Sequence, residues 1–222
     1  MKNNEKRSIR EWIVRILLLF IGVTIAHFGV TLFLLSDMGS DPFNVLVQGT
    51  YRALSSATGL GFLTHGRVHI LLCAVIIVVL LFIDRSYIKL GTFICMVIGG
   101  PIIDIFTKIL SPLFNSAPPL PVALALVVAG CVILAFGMTV VINSDAGTGP
   151  NDLVSVVLAD KLKKKFSMIR IITDIAFVLI GRLLGGTVGV GTLVCMFLVG
   201  LVAGVFLPVN KKLVDCVVRR FS

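Results

Sequence analysis

The sequence predicts an all-α, polytopic transmembrane helical bundle built from two internal repeats, each a long helix, a short broken helix and two further helices. Three observations carry this reading. The 222 residues are 57% hydrophobic, with a mean hydropathy of +1.07, more apolar surface than a soluble domain can hide. Several apolar runs reach the ~20 helical residues that cross a bilayer core of ~30 Å. They are solidly apolar rather than alternating, which excludes a membrane β-barrel. The third observation is a repeated turn. Ser36-Asp37-Met38-Gly39-Ser40-Asp41-Pro42 returns as Ser144-Asp145-Ala146-Gly147-Thr148-Gly149-Pro150, each copy between two apolar runs. At a shift of 108, residues 22–42 and 130–150 match at nine of 21 positions, including Gly22/Gly130, Gly29/Gly137 and Thr31/Thr139. A second echo, at a shift of 100, pairs Gly91-Thr92-Phe93-Ile94-Cys95-Met96 with Gly191-Thr192-Leu193-Val194-Cys195-Met196. Self-similarity of this kind marks an internal duplication.

The elements follow in order. Residues 1–11 form a basic, polar N-terminus assigned to the cytoplasm, and 12–110 the first transmembrane repeat. The run from Trp12 to Leu35 is too long for the apolar stretch of a signal peptide and no small-residue cleavage site follows, so it reads as a retained helix. Ser36 to Asp41 is a turn, in which Ser36 and Asp37 bond to backbone amides and Gly39 permits a positive φ. Pro42 suits the first position of a new helix capped by Asp41 or Ser40. That helix is short, Phe43 to about Ala57, and a loop with Gly59, Gly61 and Gly66 follows it. Residues 68–83 and 88–110 make the next spans, the latter bent at Gly99-Gly100-Pro101. Residues 111–121, with four prolines, join the halves. The second repeat, 122–208, holds a span at 122–143, the turn, a short helix from Asn151 to about Asp160, a lysine cluster at Lys161, Lys163, Lys164 and Lys165, and spans at about 168–184 and 190–208. The stretch from Gly181 to Gly191 reads as a tight loop, and 209–222 as a basic cytoplasmic tail.

Whether the short helix crosses decides the symmetry. If it crosses, the halves are parallel; if it re-enters, they are inverted. The parallel layout puts 17 basic residues inside and three outside, and the inverted one gives 16 and four. Both place the two termini in the cytoplasm by the positive-inside rule. A basic position after the short helix in both halves (Arg52/Arg67 and Lys161 to Arg170) favours the parallel layout.

The net charge of +9 follows from basic residues at the ends of apolar runs and does not imply nucleic acid. Cys73, Cys95, Cys131 and Cys195 lie in apolar runs and Cys216 in the tail, without a CxxC or a His/Cys ligand spacing, so neither a disulfide, a metal nor any other cofactor is expected. No Ser/His or Cys/His pair, HExxH motif or P-loop argues for an enzyme.

The candidate substrate or ion site is the duplicated turn: Asp37, Asp41, Pro42 and Asn44 in the first copy, Asp145, Gly147, Gly149, Pro150 and Asp152 in the second. Two helix starts present free N–H groups and positive dipole ends, while the acidic side chains suit a cation or proton. The bland alternative is that Asp37 and Asp145 only brace a turn at the membrane surface. Asn44 and Asp152 occupy equivalent positions, best placed to face an interior cavity. Asp104 and Asp174 lie within apolar spans, a functional signal by default. Lys108 and Arg170, each four residues away on the same helix face, make them ion-pair members instead. His27 has no repeat partner, since Ala135 stands at the matched position, and reads as a packed histidine. Gly22 and Gly29, seven apart, share a helix face, and the same spacing in the second copy predicts that these two helices pack together.

The second turn, Gly147, Gly149, Pro150 and Asp152, together with Ile169-Arg170-Ile171-Ile172-Thr173-Asp174 and the run Leu184 to Thr192, resembles the bacterial YczE/YyaS/YitT-type integral membrane proteins. The resemblance covers nearly the whole chain. Members carry a Trp-Asp pair after the first proline; here it is Phe43-Asn44, so a carboxylate stands at only one of the two equivalent positions. The resemblance implies a multi-pass protein of the bacterial plasma membrane and little biochemistry. The favoured function is a transporter of a small molecule or ion. The alternative is a non-transporting membrane partner that stabilises or regulates another membrane system. The lipid bilayer is the one certain partner, and another membrane protein or a second copy of the chain is compatible with either.

Overall fold

The computed structural model describes residues 8–58, 63, 65–113 and 118–221. The expected loop at Gly59 and Gly61, the outermost N-terminus and the middle of the proline-rich joint lie outside them. Among the described residues there are eight α-helices and no strand: α1 Ile9–Leu35, α2 Pro42–Thr58, α3 His65–Asp84, α4 Leu90–Leu110, α5 Leu120–Ser144, α6 Pro150–Leu162, α7 Phe166–Leu183 and α8 Val190–Phe221. Five of them (α1, α3, α4, α5 and α8) are long and apolar enough to cross a membrane. Large apolar side chains cover their outer faces, as lipid requires: Phe82 and Val97 are exposed, and so is Val205.

The helix pair α1/α5 is the spine of the bundle, and small residues set its geometry. Gly22 lies against Gly137, and Gly29 against Gly130. A β-carbon on Gly29 would come within 2.6 Å of the Gly130 carbonyl oxygen, and one on Gly130 within 2.7 Å of the Gly29 oxygen. Backbones this close gain dispersion and weak Cα–H contacts where lipid offers no hydrophobic drive. The predicted glycine seam is therefore present.

Its direction corrects the parallel layout. Residue 22 meets 137 and residue 29 meets 130, and Arg15 Nη1 donates to the Ser144 carbonyl at 2.9 Å, so α1 and α5 are antiparallel. The two matched stretches thus run in opposite directions. The rest of the chain fits this arrangement. Helix α4 runs with α1, its Gly91 beside Leu19 and its Gly99 beside His27. Helix α8 returns against it, from Gly191 at the Met38 carbonyl to Val214 and Val218 beside Val14 and Leu18. Both short helices stay at the end where they begin. Helix α2 keeps to the end where α1 finishes, as Arg52 Nη1 bonds the Gly185 carbonyl at 2.6 Å in the α7–α8 connection. Helix α6 keeps to the end where α1 starts: its Lys161 Nζ pairs with Asp84 at 2.6 Å, at the turn into α4. The bases after the two short helices therefore sit at opposite ends of the bundle, because neither helix crosses it. A charge tally that differs by one residue does not carry that information.

Helix α4 is one element with Pro101 inside it, as the span at 88–110 anticipates, whereas α8 runs past Pro208 to Phe221, where the last span was expected to end at about 208 and a basic tail to follow. Polar ties on either side of Pro208 hold α8 to α5. Asn143 Nδ2 donates to the Leu207 carbonyl at 3.0 Å, and the fully buried Asn210 donates through Nδ2 to Phe136 O at 3.1 Å and to Thr139 Oγ1 at 2.7 Å. Gly181 is the last tight contact of α7 with Val45 and Leu46 of α2, so the connecting loop begins only at Leu184.

Candidate functional site

Helices α1 and α5 end in the same way. Ser36 Oγ donates to Phe33 O at 2.6 Å and accepts from Met38 N at 3.3 Å; Ser144 Oγ donates to Val141 O at 2.6 Å and accepts from Ala146 N at 3.3 Å. Asp37 and Asp145 then take left-handed backbone, φ 54° and 56°. Aspartate is among the few non-glycine residues that tolerate this region. The predicted positive φ at Gly39 is there too, at 125°, and Gly147 matches it at 149°. At both positions a side chain would strike neighbouring structure, Thr192 Oγ1 in the first turn and the Gly91–Thr92 backbone in the second.

The turns are closed by helices from the opposite half. Gly91 N donates to Ala146 O at 3.0 Å, and Gly191 N donates to Met38 O at 2.9 Å. Thr192 Oγ1 adds a bond to Ser40 O at 2.6 Å, and Thr148 N reaches Thr92 Oγ1 at 3.5 Å. Lys89 Nζ binds both the carboxylate and, at 3.0 Å, the carbonyl of Asp145. Asp37 is exposed. Both aspartates shape their turns through left-handed backbone, and the Asp145 side chain is also clamped by Lys89.

The helix starts point elsewhere. Pro42 and Pro150 are the first residues of α2 and α6. Asp41 is the cap: its Oδ1 accepts from Asn44 N at 3.2 Å, and its Oδ2 accepts from Asn44 Nδ2. Gly149 occupies the equivalent place in α6 without a side-chain cap. Asp152, in the first turn of α6, accepts from Asn151 Nδ2 at 3.1 Å and pairs with Arg170 Nη1. Arg170 Nε in turn donates to Asp174 Oδ2 at 2.9 Å. Arg170 is 6% exposed and Asp174 1%. Beside them Ser155 and Thr173 share a hydroxyl–hydroxyl bond of 2.6 Å between α6 and α7. Both helix starts reach α7: Phe43, next to Pro42, packs edge-on against Phe177 with ring centroids 5.5 Å apart, and Asp152 pairs with Arg170. His27 itself is tied by Nδ1 to Val23 O at 2.7 Å and packs on Gly99, the packed role expected of it.

The candidate residues singled out by the repeated turn and the apolar spans therefore divide into groups by position. Arg170 and Asp174 are buried on α7 with the part-buried Asp152 beside them, Asp41 and Asn44 are part-buried at the start of α2, and Asp37 and Asp145 stay at the turns with Gly147. Asp104 lies on the exposed face of α4 and, among the described residues, forms no ion pair with the equally exposed Lys108. It sits five residues beyond Gly99, well round the helix from the face that packs on His27. Lys89 and the threonine pair Thr92/Thr192 were missed as turn clamps. The repeated Gly-Thr-x-x-Cys-Met signal marked the threonines, whereas nothing local marks Lys89.

The Asp41–Asn44 bonds give a direct expectation. Asn44→Asp removes a donor and sets a second carboxylate against Asp41, so it is expected to lower stability by about 1 kcal/mol, read as a lower unfolding temperature at neutral pH that recovers on acidification. An unchanged melting temperature would contradict the cap geometry.

Antiparallel long helices, short helices that do not cross, and charges buried between them define a multi-pass helical membrane protein. The chain belongs to the family of unknown function DUF6198, whose model matches residues 13–208. It is 25% identical over 212 residues to the uncharacterised membrane protein YczE of Bacillus subtilis, covering 95% of this chain and 94% of that one. It is 28% identical over 200 residues to an uncharacterised protein of Haemophilus influenzae (88% and 84% covered), and 24% identical over 192 residues to the uncharacterised protein YyaS of Bacillus subtilis (86% and 92%). No solved structure matches the chain significantly. The YczE and YyaS resemblance read from the motifs thus stands.

Proposed function

We propose that this protein transports a small molecule or ion, and that the site lies where the starts of α2 and α6 converge on Asp152, Arg170 and Asp174. One observation carries the reading: a buried arginine and a buried aspartate on α7 meet a part-buried aspartate at the first turn of a short helix that does not cross the apolar bundle. Ionisable groups inside a membrane are expensive and are kept where substrates or ions pass. Short helix starts facing each other between inverted halves are the arrangement in which transporters bind their cargo. The reading is of a non-enzymatic protein in the bacterial plasma membrane. Cytoplasmic termini are supported by its basic residues: Arg10, Arg15, Arg85, Lys89 and Lys161 all belong to the end where α1 begins.

The orientation has its own test. An exterior-active reporter fused after Ser222 is expected to be silent, and the same reporter inserted in 114–117 to be active. The reverse pattern overturns the orientation. For the function, purified wild type and Asp152→Asn are screened by thermal shift against small organic anions, organic cations and monovalent ions, and hits are followed as flux into proteoliposomes. Wild type is expected to be stabilised by a compound that it also moves, and Asp152→Asn to lose both while remaining folded. A ligand response that survives in Asp152→Asn would reduce the aspartate to a dipole partner. Silence across the flux assays would favour the non-transporting alternative.

A further inference from the structure

The three interior charges do not balance. Arg170 supplies one positive charge, while Asp152 and Asp174 supply two negative ones on either side of it. Asp174 is held through Oδ2 only; its Oδ1 is fully buried and has no hydrogen-bond partner. A carboxylate oxygen in that position forfeits its hydration without replacement, a cost of a few kcal/mol. Among the described residues, Arg170 is the one cation that forms an ion pair with either carboxylate. From α6 comes Asp152, and from the start of α2 comes Asp41, both negative. From α8 comes the thiol of Cys195. On α1, His27 commits Nδ1 to Val23 O and packs its Nε2 on Gly99. On α3, His69 stacks edge-on against Phe43. Asp152 differs from Asp174 in one respect that matters: its side chain is 19% exposed, against 1%. One carboxylate of the pair is thus reachable and the other is sealed, with the guanidinium between them.

We propose that the Asp152–Arg170–Asp174 cluster is a proton-binding site, in which the two carboxylates together take up one exchangeable proton. The proton comes from water at the Asp152 side and forms an O–H bond on one carboxyl oxygen; no electron moves and no other bond breaks. The cluster then passes from a net charge of minus one to zero, which suits an apolar interior. The protonated acid gives up its charge-assisted bond to Arg170, so a proton on Asp152 releases the first turn of α6 from α7 while the Arg170–Asp174 bond remains. In a transporter this makes the proton the coupling ion. That use rests on the transport reading, whereas the binding itself is measured without any substrate.

The test is an infrared pH titration of the purified, lipid-reconstituted protein, following the carbonyl stretch of a protonated carboxylic acid. Wild type is expected to gain such a band on acidification, with an amplitude of one group per chain. In Asp152→Asn, Asp174 faces Arg170 alone, so the band is expected to move to more acidic pH by at least about tenfold in proton affinity. Asp174→Asn should behave alike where it folds; the wild-type titration and Asp152→Asn decide without it. A wild type with no titrating buried acid overturns the proposal, as does a band that is unmoved in Asp152→Asn. Sodium ions added at constant pH should leave the band in place. Displacement of the band by sodium would make the site a metal-cation site and overturn the proton assignment. A missing band beside intact flux defeats only this inference, and a band beside absent flux defeats only the transport reading.

Discussion

Arg170→Gln is expected to destabilise the protein by about 3–5 kcal/mol, the largest effect of any single side-chain replacement in the interior. The guanidinium is 6% exposed and bonds two carboxylates on different helices, Asp152 on α6 and Asp174 on α7. Its removal leaves two like charges facing each other, and the Asp174 side chain, 1% exposed, has no water to solvate it. The cost comes from the orphaned carboxylates rather than from the lost bonds. The double variant Arg170→Gln/Asp174→Asn removes the sealed charge with its partner and is expected to regain a large part of the loss. Unfolding in mixed micelles, followed by helicity, gives the comparison. An Arg170→Gln protein within about 0.5 kcal/mol of wild type, the range of an ordinary surface change, would mean that the cluster is solvated and that the interior site described above does not exist.

Gly137→Ala and Gly29→Ala are expected to be next in size, about 3 kcal/mol each, the upper part of the overpacking range. A single methyl group suffices because it meets backbone and not a movable side chain. On Gly137 it would lie 2.6 Å from the Gly22 carbonyl oxygen, and on Gly29 it would lie 2.5 Å from Leu134 N. The helices can relieve this only by separating along the seam that defines the bundle. Gly66→Ala is the control: it is helical, exposed and has nothing near its added carbon. It should be neutral or gain up to about 1 kcal/mol from propensity. Equal effects at Gly66 and Gly137 would show that the loss is one of helix propensity and not of packing.

Much of this was legible in the sequence, for identifiable reasons. Length and apolar content gave the helices because lipid admits little else. The seven-residue spacing of Gly22 and Gly29 gave the α1/α5 contact, and Pro42 and Pro150 gave the helix starts. Arg170 and Asp174, four apart, gave their own ion pair. The partner on the other side, Asp152, was out of reach of such rules. It meets Arg170 across the lysine-rich turn between α6 and α7, and no periodicity links positions on two helices. The direction of the second half was hidden likewise, since it depends on whether α2 and α6 cross, and their composition permits both. The last span was expected to end at about 208, but the polar bonds of Asn143 and Asn210 hold α8 onward along α5.

The crossed hydrogen bonds at the two turns bear on how the chain is made. The carbonyl of Met38 is satisfied by the amide of Gly191, and the oxygen of Ser40 by the hydroxyl of Thr192. Neither donor exists until the ribosome has passed the start of α8. The first turn therefore waits, unfinished, through most of translation, while the second finds its donor, Gly91, already synthesised. Insertion can proceed helix by helix, but closure of the first turn is a late event that follows release of nearly the whole polypeptide. A ribosome stalled before Gly191 should hold a product whose first turn is still cut by protease, and one stalled well beyond Thr192 a product in which it is protected.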